Sequence, residues 1–147
     1  MPSSVLADTN ILLRVVQPAH SQHAVTSSAL DKLLLQNVDL CIVTQNLVEF
    51  WAVATRPIAN YGLGMDPPVA SDELKKLRSI FHLVDGGVGI AEAWEKLVSD
   101  QLVSGKQAHD AHLAAAMGVY GIQQLLTFNG DDFKRYSGIT VLHPAQV

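Results

Sequence analysis

Residues 3–10 read SSVLADTN: Ser3 to Ala7 is a short, largely apolar run, and Asp8, Thr9 and Asn10 follow it without a break. Such a run, bounded by polar residues, reads as a strand buried on both faces. A strand of that kind belongs to a parallel sheet covered by helices on either side. In such sheets ligands bind outside the carboxyl ends of the strands, near a change in strand order. Asp8 stands at one such end.

The pattern repeats outward from this stretch. NILLRVV, from Asn10 to Val16, reads as a short helix ended near Pro18, and Ser21 to Gln36 is amphipathic, with Val25, Ala29, Leu30, Leu33 and Leu34 on one face. Asp39 to Val43 is a second strand, and Thr44 to Thr55 is a helix with Leu47, Val48, Trp51 and Ala54 as its stripe. Tyr61 to Val69, YGLGMDPPV, is expected to be a surface loop, since two glycines and two consecutive prolines break regular structure. Ser71 is expected to open the next helix, with acids in its first turn. Phe81 to Val84 reads as a third strand, Val88 to Ser104 as a helix, and Ala108 to Tyr120 as a helix of small residues. Gln124 to Thr127 and Ile139 to Leu142 complete a set of five strands. The expected fold class is α/β, with a central, mostly parallel, five-stranded sheet. One domain, 1–147, is expected, with no repeat or linker.

Composition bounds the function classes. The chain has 147 residues, 48% of them hydrophobic and 16% charged, with a mean hydropathy of +0.20. That excludes intrinsic disorder, and no apolar run reaches the ~18 residues of a membrane span. No signal-type segment is read at the N-terminus. The lone Cys41 excludes an internal disulfide framework and a Cys-rich zinc site. The expectation is a soluble cytoplasmic protein.

Asp8, Glu49 and the pair Asp131 and Asp132 follow strands one, two and four, and Asp110 opens the helix that leads into strand four. Each has a local explanation: Asp8 as a helix N-cap, Asp110 as dipole compensation, the pair as turn residues after Asn129-Gly130. Glu49 is harder to explain locally, because it lies among Leu47, Val48, Phe50 and Trp51 and its partner one turn on is Val53. Asn46 precedes it by a turn. All these acids would face the same edge of the sheet. Carboxylates crowded together cannot all stay ionised without cations. Hard divalent ions, Mg²⁺ or Mn²⁺, suit an all-oxygen site. A pair of such ions stabilises the attacking and leaving oxygens of an in-line phosphoryl displacement. Thr127, at the end of strand four, is placed to hydrogen-bond a carboxylate or a phosphate.

LADTNILLR, TQNLVEFWAVATRP, QAHDAHLAAAM and LLTFNGDDF resemble, in order and near the usual spacing, the four signature segments of PIN domains. The resemblance runs from Leu6 to about Phe133 and is nearest to the single-domain VapC-type toxin ribonucleases. It implies a three-layer α/β/α sandwich, an acidic pocket for Mg²⁺ or Mn²⁺, and hydrolysis of RNA. It makes Asp8, Glu49 and Asp110 metal-binding carboxylates. Asp132, by its place before the Phe, is preferred as the fourth, with Asp131 as the alternative. Asn10 and Thr127 would support the site by hydrogen bonding. The resemblance also implies a homodimer and a cognate antitoxin that inserts into the groove. Arg56, in VATRP, also looks family-like.

The formal charge of −4 does not exclude an RNA substrate. Five of the 14 acids are Asp8, Glu49, Asp110, Asp131 and Asp132, and the remaining nine are outnumbered by the 10 Lys and Arg. Arg14, Lys106, Lys134 and Arg135 are candidates for backbone contacts. Two His pairs at helical spacing, His20 with His23 and His109 with His112, are weighed as zinc ligands and set below the acidic cluster. His82 and His143 are expected to be isolated structural histidines, and Cys41 a buried apolar residue. Two competing readings remain. A haloacid-dehalogenase-like phosphatase would want an acid where Asn10 stands, and a non-catalytic scaffold would not need the full set of acids.

Overall fold

The computed structural model describes residues 3–147. Its sheet is built from β1 (Ser4–Ala7), β2 (Asp39–Ile42), β3 (His82–Leu83), β4 (Gln124–Leu126) and β5 (Thr140–Leu142), in the order β3-β2-β1-β4-β5, every pairing parallel. The expected α/β class and five-stranded sheet are both present, and among the described residues no strand runs antiparallel. Strand order reverses at β1, whose neighbours are β2 and β4, and Asp8 leaves the sheet from that central strand.

Alternation along the strands divides the core in two. Val5, Ala7, Leu40, Ile42 and Leu126 meet residues of α1 (Thr9–Val15), α2 (His23–Leu35), α3 (Thr44–Thr55) and α4 (Pro67–Ile80). Leu6, Cys41, Val43 and Leu125 meet the other face, covered by α5 (Ile90–Asp100) and α6 (Gln107–Tyr120). This is the three-layer sandwich. Ala111, Ala114, Ala115 and Ala116 are buried on α6, and their small side chains let that helix lie close to the sheet and to α5. Its end is set by Gly121, whose φ of 70° is the left-handed conformation that closes a helix, and its N–H bonds to the Gly118 carbonyl.

The larger departures from the sequence reading fall at α4, β3 and α5. The fourth helix begins at Pro67, four residues before Ser71, because Pro67 and Pro68 sit at its first turn, where a missing N–H costs nothing. The expected loop is correspondingly shorter. It is also tied down: Leu63, Gly64 and Met65 donate their N–H groups to the carbonyls of Val53, Arg56 and Ala54, satisfying the C-terminal end of α3. A Cβ on Gly62 would collide with the Arg56 carbonyl. Finally, β3 is only two residues long and α5 spans Ile90–Asp100 rather than Val88 to Ser104.

Candidate active site

A cavity of about 470 Å³ opens beyond the carboxyl ends of the central strands, lined by Asp8, Asn10, Glu49, Arg56, Asp110 and Asp132 among others. The acids reach it from four places: the end of β1, the second turn of α3, the first turn of α6, and the 3₁₀ turn Gly130–Phe133 after β4.

Asp8 does two jobs at once. Oδ1 accepts the Thr9 N–H at 2.8 Å as the N-cap of α1, and Oδ2 accepts from the Thr127 hydroxyl at 2.8 Å and from Asn10 Nδ2 at 3.3 Å. The Thr127 oxygen accepts in turn from Asn10 Nδ2 at 3.1 Å and from the Asn129 N–H at 3.0 Å. Thr127 is fully buried, so its hydroxyl has no water to turn to and its proton is committed to Asp8. Burial pushes the Asp8 carboxyl up, and the charges on Glu49 and Asp132 push the same way; the bonds from Thr127 and Thr9 pull it back.

Glu49 is held at both oxygens. Thr9 Oγ1 donates to Oε1 at 2.7 Å, and Gln45 Nε2 donates to Oε2 at 3.2 Å. Thr9 Oγ1 is itself held by Nδ2 of the buried Asn46 at 3.2 Å, and Asn46 Oδ1 accepts the Val43 N–H at 2.9 Å. Gln45 also donates to the His109 carbonyl at 2.7 Å and accepts from His112 Nδ1 at 2.6 Å, so α3 and α6 are stitched together beside the site. With its NH₂ facing two acceptors, the Gln45 amide has one orientation, and that makes His112 the donor. His109 Nδ1 lies 4.0 Å from Glu49 Oε2.

Asp110 carries the electrostatic signature of the site. Its carboxyl is pushed up to about 6, first by burial and then by the charges on Asp8, Asp132 and Glu49, with His109 opposing. Asp132 lines the cavity, while its neighbour Asp131 is exposed and paired with Lys134 at 2.8 Å. Arg56 brings a cation to the rim; among the described residues no lysine lines the cavity.

Of the sequence-predicted residues, the structure brings Asp8, Asn10, Glu49, Asp110 and Asp132 to one cavity, holds Thr127 behind it, and leaves Asp131 outside. Thr9 and Gln45 were missed, and His112, weighed only as a zinc ligand, instead holds Gln45. Gln45 had a signal, its i,i+4 spacing to Glu49; Thr9 read as an ordinary helix-starting residue. The two His pairs are not paired: His20 Nδ1 accepts from the Gln22 N–H, His23 faces the Arg14 carbonyl, and His109 and His112 serve different partners. Arg14 donates to Gln22 and Gln17, and Lys134 pairs with Asp131 at the surface; neither lines the acidic cavity. His143 caps the 3₁₀ turn at Pro144–Gln146, but His82 is not isolated, since it lies 3.2 Å from Asp39.

The donor set suits a hard dication. Among the described residues no three of these carboxylates bring oxygens within 4.8 Å of one another. An ion held between them would keep some of its own waters.

A family model described as the PIN domain matches residues 5–139. No curated protein matches the chain. Solved structures do. A chain of VapBC2 from Rickettsia felis, bound to a DNA fragment from its promoter, is 18% identical, with 95% of this chain and 98% of that one covered at a TM-score of 0.69. VapBC-1 from nontypeable Haemophilus influenzae is 14% identical, covering 96% and 98% at 0.70. VapC20 from Mycobacterium tuberculosis, a toxin that cleaves the sarcin-ricin loop, is 19% identical, covering 87% and 92% at 0.61.

Proposed function

This chain belongs to the PIN domain family, and from that premise we propose that it is a metal-dependent endoribonuclease, the toxin of a type II toxin–antitoxin pair. The observation that carries the reading is the convergence of Asp8, Glu49, Asp110 and Asp132 on one cavity, with Asp110 pushed up to about 6 by burial and by the other three charges. A site built this way is poised for cations rather than stable without them.

Asp8, Glu49, Asp110 and Asp132 would hold Mg²⁺ or Mn²⁺. When bound, the ion supplies a water acidic enough to yield hydroxide near neutral pH and positive charge for the phosphoryl oxygens. The chain's own side chains do the rest. Thr127 and Asn10 aim Asp8, while Thr9 and Gln45 aim Glu49, so both carboxylates keep fixed orientations as substrate arrives. Arg56 at the rim meets the scissile strand's phosphates. The open groove suits single-stranded or looped RNA, whose backbone can be laid along it.

The antitoxin follows from the same charge. A basic side chain of a partner, entering the groove, would neutralise the carboxylates in place of the ion. The resemblance to VapC-type toxins further implies a homodimer in the cytoplasm. Among the described residues no helix is long and apolar enough to cross a membrane.

The test is RNA cleavage with Mg²⁺ or Mn²⁺, with and without chelator, by the wild type and by Asp8→Asn and Asp110→Asn. Both variants are expected to retain the wild-type circular dichroism and to lose cleavage by at least about a hundredfold. Undiminished cleavage in either variant, or in chelator, would overturn the assignment.

A further inference from the structure

The second strand carries chemistry apart from the acidic cavity. Asp39 and Cys41 alternate along β2 and so project on the same face of the sheet, and Cys41 is in register with His82 on β3. Their side chains converge there. His82 Nδ1 lies 3.2 Å from Asp39 Oδ2, and Cys41 Sγ lies 3.3 Å from the same oxygen. One atom from each of the three residues falls within 4.8 Å of the other two. Asp39 opens β2, whereas Glu49 lies beyond its far end, and none of the three residues lines the acidic cavity.

We propose that Asp39, Cys41 and His82 form a binding site for a borderline-soft transition-metal dication, Zn²⁺ in the first instance, separate from the carboxylate cavity. The donor types argue for this class: one thiolate, one imidazole and one carboxylate is a zinc ligand set, and magnesium has no use for sulfur. The distances argue for it too. Tetrahedral bonds of about 2.3 Å to sulfur and about 2.0–2.1 Å to nitrogen and oxygen put neighbouring ligand atoms roughly 3.4–3.6 Å apart. The two short edges here are 3.2 and 3.3 Å.

Without metal, the thiol proton is directed at Asp39 Oδ2, the atom that His82 Nδ1 also faces. A dication at the centre replaces these polar contacts. The thiol proton leaves to solvent, and the imidazole carries its proton on Nε2 so that Nδ1 becomes the ligand. Burial and the adjacent Asp39 keep the metal-free thiol firmly protonated. Access is from the solvent side, because the His82 and Asp39 side chains are 62% and 36% exposed while Cys41 forms the buried floor. A water fills the fourth position. The bound ion would clip the two-residue edge strand β3 to β2.

The experiment is titration of the purified full chain with Co²⁺ under reducing, anaerobic conditions, followed by displacement with Zn²⁺. The expected result is a thiolate-to-cobalt charge-transfer band that saturates at one equivalent and disappears on adding Zn²⁺. Asp110→Asn keeps the band, which separates this site from the acidic cavity. Exposed His82→Ala weakens cobalt binding at least tenfold, and Cys41→Ser abolishes the band. Should Cys41→Ser fail to fold, His82→Ala and Asp39→Asn decide the matter by themselves. A folded wild type without the band, or a band of unchanged affinity in both of those variants, would overturn the site.

Discussion

Thr127 shows how much one hydroxyl can organise. It donates to Asp8 and accepts from Asn10 and from the Asn129 backbone, inside a fully buried position. Thr127→Val keeps the shape and removes all three bonds. Its expected effect is a 10- to 100-fold loss of activity, the usual range for a group that orients a metal-binding carboxylate, with Thr127→Ser restoring most of it; cleavage rates at saturating metal measure this. Asp110 supplies a second prediction with a definite sign. Its carboxyl is raised to about 6, so its protonated form is favoured in the folded protein. A raised carboxyl contributes stability at low pH and loses that contribution as pH climbs through its folded value. In chelator, melting temperature is therefore expected to fall between roughly pH 4 and pH 7. Asp110→Asn should flatten that fall, and raise the melting temperature at pH 7, while destroying cleavage. Thermal melts across pH, followed by circular dichroism, give the answer.

At the scale of elements, α3 is the member on which the site depends. Its first turns carry Gln45, Asn46 and Glu49, and its last turn runs into Arg56 at the rim. Both ends are fixed by other segments, the start by Thr9 and the α6 residues His109 and His112, the finish by the loop through Gly62. Because any Cβ at position 62 meets the Arg56 backbone, Gly62→Ala forces the loop away from the helix end. A destabilisation of about 2–3 kcal/mol is expected, read from urea unfolding, together with weaker RNA binding through the displaced Arg56. The sequence reading placed α4 too late because Pro67 and Pro68 were read as breakers within a loop, and the local pattern does not say whether a proline interrupts a helix or opens one.

For the whole molecule, charge distribution governs behaviour. Four acids, Asp8, Glu49, Asp110 and Asp132, line one groove, and with these set aside the other ten acids equal the 10 Lys and Arg, so the groove carries most of the net charge of −4. Ions that fill the groove should therefore bind the folded chain and not the unfolded one. At a hundred times its dissociation constant, Mn²⁺ is expected to stabilise the wild type by about 2.7 kcal/mol. Asp8→Asn should lose most of that gain, and calorimetric melts with and without Mn²⁺ make the comparison. RNA affinity should weaken in chelator for the same electrostatic reason.

How much was legible beforehand follows from the range of each interaction. Apolar runs, helical periodicity and the position of acids after strands are local patterns, so the sequence by itself determined the α/β class, the five strands and the set of carboxylates that includes Asp8, Glu49, Asp110 and Asp132. It could not separate Asp131 from Asp132, because both occupy the same turn and only the direction of that turn sends one to the cavity and the other to Lys134. Nor could it find Thr9 against Glu49, Gln45 against His112, or Asp39 and Cys41 against His82, pairs 40 to 67 residues apart for all but the Asp39–Cys41 step. Those contacts depend on which strands are neighbours and in what register, and register is settled only when both faces of the sheet find their helices.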